Sequence, residues 1–128
     1  MDADEAMAHL QLRTFQSGGD AQLDAARFIR IEFDGSRQIV RGTDETLDGA
    51  MICVFVKIGE RYGEDGFFIL LQRDLQAIIL KNHETYLRKH DGVRPRNPKS
   101  THTAVSLADL AEFEDNWALI ENRLAVRG

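Results

Sequence analysis

The residues in this sequence best suited to chemistry are cations on a proline-stiffened stretch. Arg94-Pro95-Arg96-Asn97-Pro98-Lys99-Ser100 places three cations and two prolines within seven residues. Proline fixes its own φ and pushes the preceding residue towards extended backbone. The stretch therefore reads as an extended loop whose basic side chains stand clear of a core. Guanidinium forks match phosphate or carboxylate, and an ammonium adds a point charge. A solvated crossing between two helices would have the same composition, because loops are normally polar.

The surrounding segment extends this charge. Residues 81–103 hold six basic residues (Lys81, Arg88, Lys89, Arg94, Arg96, Lys99) and two acidic ones (Glu84, Asp91), a net +4, together with His83, His90 and His102. The rest of the chain carries ten basic and nineteen acidic residues, or −9, within a total of −5. Proteins that coat nucleic acid without preference are basic throughout. Here attraction for phosphate is confined to one segment. Its candidate phosphate-binding residues are Lys81, Arg88, Lys89, Arg94, Arg96, Lys99 and His102.

Other chemistry is sparse. The sequence has no glycine-rich phosphate loop, no Cys-x-x-Cys and no His-Glu-x-x-His. Its four histidines, His9, His83, His90 and His102, are scattered. They are expected to be solvent-exposed or capping residues rather than zinc ligands. No metal site, catalytic residue or cofactor is expected from these patterns. Cys53 sits inside the apolar run 51–56 and reads as a buried small hydrophobe. Trp117, Phe113 and Tyr86 are the aromatic set that could imitate a base-stacking platform. Trp117 and Phe113 fall on the apolar stripe of the last helical segment, so core packing is expected of them.

The elements that must position these residues follow from periodicity. Residues 9–15 alternate, with Leu10 and Leu12 on one side and Gln11 and Arg13 on the other, which predicts a strand. A helix over residues 4–14 is the alternative, since Ala6, Met7, Leu10 and Arg13 suit one. Ser17-Gly18-Gly19-Asp20 ends either element. Residues 27–33 alternate again, and Asp34-Gly35 reads as a hairpin turn into residues 37–41. Residues 50–58 and 67–71 are nearly continuous apolar runs, as in strands covered on both faces. Gly63 and Asp65-Gly66 mark the connection between them.

Helices are predicted next. Leu75, Ile78, Ile79, Tyr86 and Leu87 form one apolar stripe, with Lys89 and His90 in the last turn and Gly92 as the stop. Ser106 is an N-cap with Asp109 three residues on. Leu107, Leu110, Phe113, Trp117, Ile120 and Leu124 continue at steps of three or four. The polar stretch 112–116 is expected to divide this segment into two short helices.

Strands first and helices last predict an α+β fold, a mixed or antiparallel sheet of about four to five strands followed by C-terminal helices. The 128 residues, 43% hydrophobic and 29% charged, suit a single globular domain over residues 1–128. Residues 9–71 would be mainly strands. Residues 72–128 would be mainly helices, with the basic proline-containing loop at 93–103. The acidic start Met1-Asp2-Ala3-Asp4-Glu5 is unlike a secretion signal, and no apolar stretch reaches membrane-helix length. These features predict a cytoplasmic protein with no membrane partner.

Leu10-Gln11-Leu12-Arg13-Thr14 resembles the hydrophobic-Gln-Val-Lys-Thr strand of the restriction-endonuclease-like, PD-(D/E)XK superfamily. The later half is similar to the C-terminal part of uncharacterised bacterial members. The similarity runs through residues 51–58, 67–71, 75–89 and 94–100 to Asp115-Asn116-Trp117. The resemblance implies a restriction-endonuclease-like fold. In active members an Asp on one strand, and an acid or Gln two residues before a Lys on the next, hold Mg²⁺ for DNA cleavage. Here Gln11 stands at the acid's place and Arg13 at the lysine's, a degenerate version of that motif. A neutral amide cannot replace a carboxylate pair at magnesium, and arginine does not share a proton. Nine residues before Leu10 cannot hold the remaining helix and Asp-bearing strand.

The expected function is a catalytically silent, nuclease-like binding module, with nucleic acid or a protein of the same system as partner, engaged through residues 81–102. One alternative is a Mg²⁺-dependent nuclease completed by another subunit or by an N-terminal region absent here. Another is a small α+β interaction domain that dimerises through a sheet edge.

Overall fold

The computed structural model describes residues 10–15, 20–59, 61 and 63–125. Among the described residues seven strands form: β1 Leu10–Phe15, β2 Ala21–Asp24, β3 Ile29–Asp34, β4 Arg37–Thr43, β5 Ile52–Lys57, β6 Gly66–Leu71 and β7 His102–Val105. Three helices accompany them: α1 Gln72–Lys89, α2 Leu107–Leu110 and α3 Ala118–Ala125. The fold is α+β. The strands make three small sheets, ordered β1-β5-β6, β2-β7 and β3-β4, rather than one sheet of four or five. No described helix is long and apolar enough to cross a membrane.

The residues group into two compact units. The first takes β1, Asp48–Leu75 and the chain from Ser106 onward, and the second takes Gln22–Leu47 and Gln76–Val105. Helix α1 begins in the first and continues in the second.

In the first unit β5 is central, parallel to β1 and antiparallel to β6. Ile52, Cys53, Val54 and Phe55 are all buried, as a strand covered on both faces requires. Ile52, Val54 and Ile69 form a small core joined by Leu119 and Ile120 of α3. Cys53 is fully buried. The free edge of β6 is closed by the polar break between α2 and α3. Phe68 bridges to Glu114, the Asp115 amide donates to the Phe67 carbonyl at 2.8 Å, and the Asn116 side-chain amide donates to the Ile69 carbonyl at 3.0 Å. That is why the 112–116 stretch interrupts the helix: its polar groups are used on a strand edge. Ser106 and Asp109 complete a reciprocal capping box at the start of α2.

Trp117 departs from the expectation of core packing. It is 42% exposed and lies against Phe67, with ring centroids 5.3 Å apart. The break at 114–116 takes Trp117 off the helical stripe on which the periodicity had placed it.

In the second unit β3 and β4 form the expected hairpin, with Asp34 opposite Arg37 and Gly35 at φ +61° in the turn. The apolar side of β3 fades outward, from Ile29 at 1% exposed to Phe33 at 42%. Helix α1 stops where Gly92, at φ +81°, donates its amide to the Leu87 carbonyl at 2.8 Å.

Strand β7 corrects the order of elements. Residues 93–103 were expected to be loop and 72–128 mainly helical, yet His102–Val105 is a strand paired with β2 between α1 and α2. Thr103 and Val105 are buried while His102 is exposed, so the segment alternates as a half-buried strand does. Its four residues are too few for periodicity to declare it.

Candidate functional site

The buried face of α1 is where polar chemistry collects. Gln72, Leu75, Gln76, Ile79, His83 and Leu87 are all buried. In the second unit the Gln76 amide donates to the Phe28 carbonyl at 2.9 Å and the Asp44 carbonyl at 3.0 Å. Asn82 donates to the Ala104 carbonyl of β7 at 3.1 Å. These side chains give main-chain oxygens a further donor beside the backbone ones, since the Phe28 carbonyl also accepts from the Asp44 amide at 2.9 Å and the Asp44 carbonyl from the Leu47 amide at 3.3 Å.

His83 corrects the expectation of an exposed or capping histidine, because none of its surface is exposed. Its Nε2 lies 2.8 Å from Gln38 Oε1 and its Nδ1 lies 2.9 Å from Thr103 Oγ1. Gln38 Nε2 donates to the Pro98 carbonyl at 3.1 Å and to the Ser100 carbonyl at 2.6 Å. Those two acceptors orient the amide, so its oxygen faces His83 and His83 Nε2 carries the proton. Thr103 then donates its hydroxyl to the unprotonated Nδ1. Burial, and then the positive Arg94, push the imidazole down to about 4 from 6.5, against an opposing pull from Asp24. The ring is thus a neutral link between α1, β4, β7 and the proline loop.

Asp24 fixes the other end of the loop. It accepts from the Thr101 hydroxyl and from the Ala26 amide at 3.1 Å. The Thr101 bond is the main reason its carboxyl lies below the ordinary value; the Ala26 amide, His102 and Arg27 add to this and burial opposes it.

The expected phosphate-binding residues separate into groups. Lys81, Arg88 and Lys89 are exposed on α1. Arg88 lines a groove of about 500 Å³ with Arg37, Glu84 and Asp91, where charges of both signs meet. Arg94 and Arg96 line a different cavity of about 240 Å³ with Tyr86, Pro95, Asn97 and Ser100. His102 is exposed, and its carbonyl accepts from Arg94 at 2.5 Å.

The prolines do not keep every cation clear of the protein. The Arg94 guanidinium lies 4.6 Å from the centre of the Tyr86 ring, which in turn packs on His90 at 4.6 Å. Lys99 donates to the Gly35 carbonyl and sits 4.5 Å from the centre of the exposed Phe33 ring. Arg96 remains exposed. Among the described residues the one ion pair is Arg41 with Glu32, so none of the six cations of residues 81–103 is neutralised by a described carboxylate.

Gln11 and Arg13 lie on β1, in parallel register with Cys53 and Phe55. The strand, rather than the alternative helix, is what forms over residues 10–15. The expected orientation of their side chains lies outside the described residues. No group of three or more His, Cys, Asp or Glu side chains suited to a metal gathers among the described residues.

Charge divides by unit. Among the described residues the second unit holds ten basic and seven acidic residues, a net +3, and the first holds five basic and ten acidic, a net −5.

Sequence reasoning missed His83, Gln38 and Thr103. A signal was present for His83: Leu75, Ile79, His83 and Leu87 step by four along one face, so the stripe passed through the histidine. Gln38 and Thr103 carried no comparable signal.

Compared with known proteins, the chain matches no family model, no curated protein and no solved structure. What fold and site define is therefore an α+β chain of two contact units, with a neutral buried histidine beneath a cationic loop.

Proposed function

We propose that the chain is a non-catalytic binding module whose second unit engages the phosphates of nucleic acid. Arg94 and Arg96 carry this reading. Both line one small cavity, and no described carboxylate neutralises either of them. Arg94 is held by Tyr86 and the His102 carbonyl, and this fixes its fork before any ligand arrives. One of its five donor hydrogens is used, which leaves the others for an acceptor. The net +3 of the second unit, against −5 in the first, supports a local rather than an enveloping contact.

Binding rather than cleavage follows from the resemblance to restriction-endonuclease-like proteins. Gln11 and Arg13 stand where that resemblance expects an acid and a lysine, and neither can take over the missing role.

The test is the salt dependence of oligonucleotide binding, followed by fluorescence anisotropy. Phosphate contacts release counterions, so affinity falls linearly with salt on a logarithmic scale. Replacing Arg94, Arg96 and Lys99 together by alanine is expected to weaken all sequences alike and to flatten that slope. Tight binding that survives the triple change, or no binding at low ionic strength, overturns the proposal. The second result would turn attention to an acidic protein partner.

A further inference from the structure

We propose that the cavity bounded by Tyr86, Arg94, Arg96, Asn97 and Ser100 is a site for a single phosphate group carried on a nucleic-acid strand. The inference rests on the binding reading above and goes further: it replaces a diffuse basic surface with a defined pocket. At about 240 Å³ the cavity is smaller than the roughly 300–1,000 Å³ typical of sites for drug-sized ligands. A phosphate with part of its sugar is on the right scale. The lining supplies two guanidinium forks, a carboxamide and a hydroxyl, and no carboxylate; the Tyr86 ring serves as the seat of Arg94. That donor set favours an anion with several acceptor oxygens.

The walls are fixed from within the protein. Gln38 holds the Pro98 and Ser100 carbonyls, and its own oxygen is held by His83. The Ser100 amide donates to the Asn97 carbonyl at 3.0 Å, and the Lys99 amide donates to Asn97 Oδ1 at 3.3 Å. The Asn97 side-chain oxygen is thereby occupied, and its NH₂ group has no described partner. Lys99 is drawn to Gly35 and Phe33, so this cation belongs to the frame of the loop rather than to the pocket. Arg94 is set on the Tyr86 ring. A rigid pocket of this kind loses little entropy when an anion enters.

Charge alone and a shaped pocket make different demands on arginine. Lysine keeps the charge but lacks the planar fork. The double variant Arg94→Lys, Arg96→Lys is therefore expected to keep the salt slope of oligonucleotide binding. Its affinity for inorganic phosphate should fall about tenfold or more, the scale of one lost charge-assisted hydrogen bond. Asn97→Ala, on an exposed turn, provides a second variant that leaves Arg94 on its ring, and it too should weaken phosphate binding.

The direct measurement is amide chemical-shift mapping by NMR as inorganic phosphate is added to the full chain. Shifts confined to residues 86 and 94–100, and reduced in both variants, support the pocket. Shifts spread evenly over Lys81, Arg88, Lys89 and the loop, with no loss in either variant, overturn it. In that case salt-dependent oligonucleotide binding would leave the broader reading standing. If neither phosphate nor oligonucleotide binds, both fall. Two forms of one strand, with and without a 5′-phosphate, separate the sources. Tighter binding of the phosphorylated form supports a terminal phosphate in the pocket, and equal binding supports a backbone phosphate.

Discussion

His83 and Gln38, forty-five residues apart in sequence, meet at 2.8 Å with both side chains buried. Gln38 spends its oxygen on the imidazole and its two hydrogens on the Pro98 and Ser100 carbonyls. The conformation of the proline loop thus depends on the protonation and orientation of two groups beneath it.

Acid should loosen the protein in a defined window. The folded-state value for His83 is about 4, below the ordinary 6.5, so the unfolded chain takes up the proton first as pH falls. This contribution is complete above about pH 6.5 and is lost progressively down to about 4, below which His83 costs nothing more. A shift of this size corresponds to about 3 kcal/mol. Urea unfolding from pH 7.5 to 4 is expected to show stability falling through that window. The imidazole resonances of His83 should remain those of a neutral ring until pH nears 4. Asp24, whose carboxyl is lowered, adds a separate loss at still lower pH.

Changing Gln38 should be costly whatever replaces it. Gln38→Leu leaves the His83 N–H without an acceptor and two carbonyls without a donor. A loss of about 2–4 kcal/mol is expected from buried polar groups left unpaired. Gln38→Glu keeps the shape but brings a negative charge to the ring and to two carbonyl oxygens. Stability should fall again, and His83 should now titrate at higher pH than in the parent protein. A His83 titration that does not move would refute the 2.8 Å contact.

Two turn glycines should respond differently to alanine. At Gly35 a Cβ meets nothing within 4 Å, so Gly35→Ala carries only the cost of positive φ, about 1 kcal/mol. At Gly92 a Cβ would lie 2.9 Å from Arg37 Cγ and 3.5 Å from the Gln38 carbonyl oxygen. The Gly92 carbonyl also accepts from the Gln38 amide at 2.8 Å. Gly92→Ala should cost about 2 kcal/mol or more, since strain and collision add. Equal losses in chemical denaturation would count against this packing of the helix end on β4.

The purified chain is expected not to cleave DNA or RNA in Mg²⁺ or Mn²⁺. Metal-assisted hydrolysis needs ligands that hold the ion and activate water, and Gln11 and Arg13 do not supply a carboxylate pair. Cleavage lost on changing Gln11 or Arg13 would instead favour a nuclease site completed by another subunit or region.

The sequence by itself determined what neighbouring residues settle. Asp34-Gly35 formed the hairpin turn, Ser106 and Asp109 the capping box, and Gly92 the stop of α1. The apolar run 52–55 became a strand buried on both faces. Each is decided by contacts within one turn or by a repeating side-chain period. The cationic character of residues 81–103 was equally visible, because charge is a property of composition. Only the tertiary structure decided how that charge is used. The His83–Gln38, Gln38–Ser100, Lys99–Gly35 and Thr101–Asp24 bonds span 45, 62, 64 and 77 residues. Periodicity gives no information at such separations. His83 occupied an apolar stripe, and whether it would be excluded or satisfied depended on partners from β4 and β7. The four residues of β7 are a strand because β2 pairs with them. Arg94 and Lys99 turned back onto Tyr86 and Phe33 because aromatic faces lay within reach, and the polar loop composition did not reveal those faces.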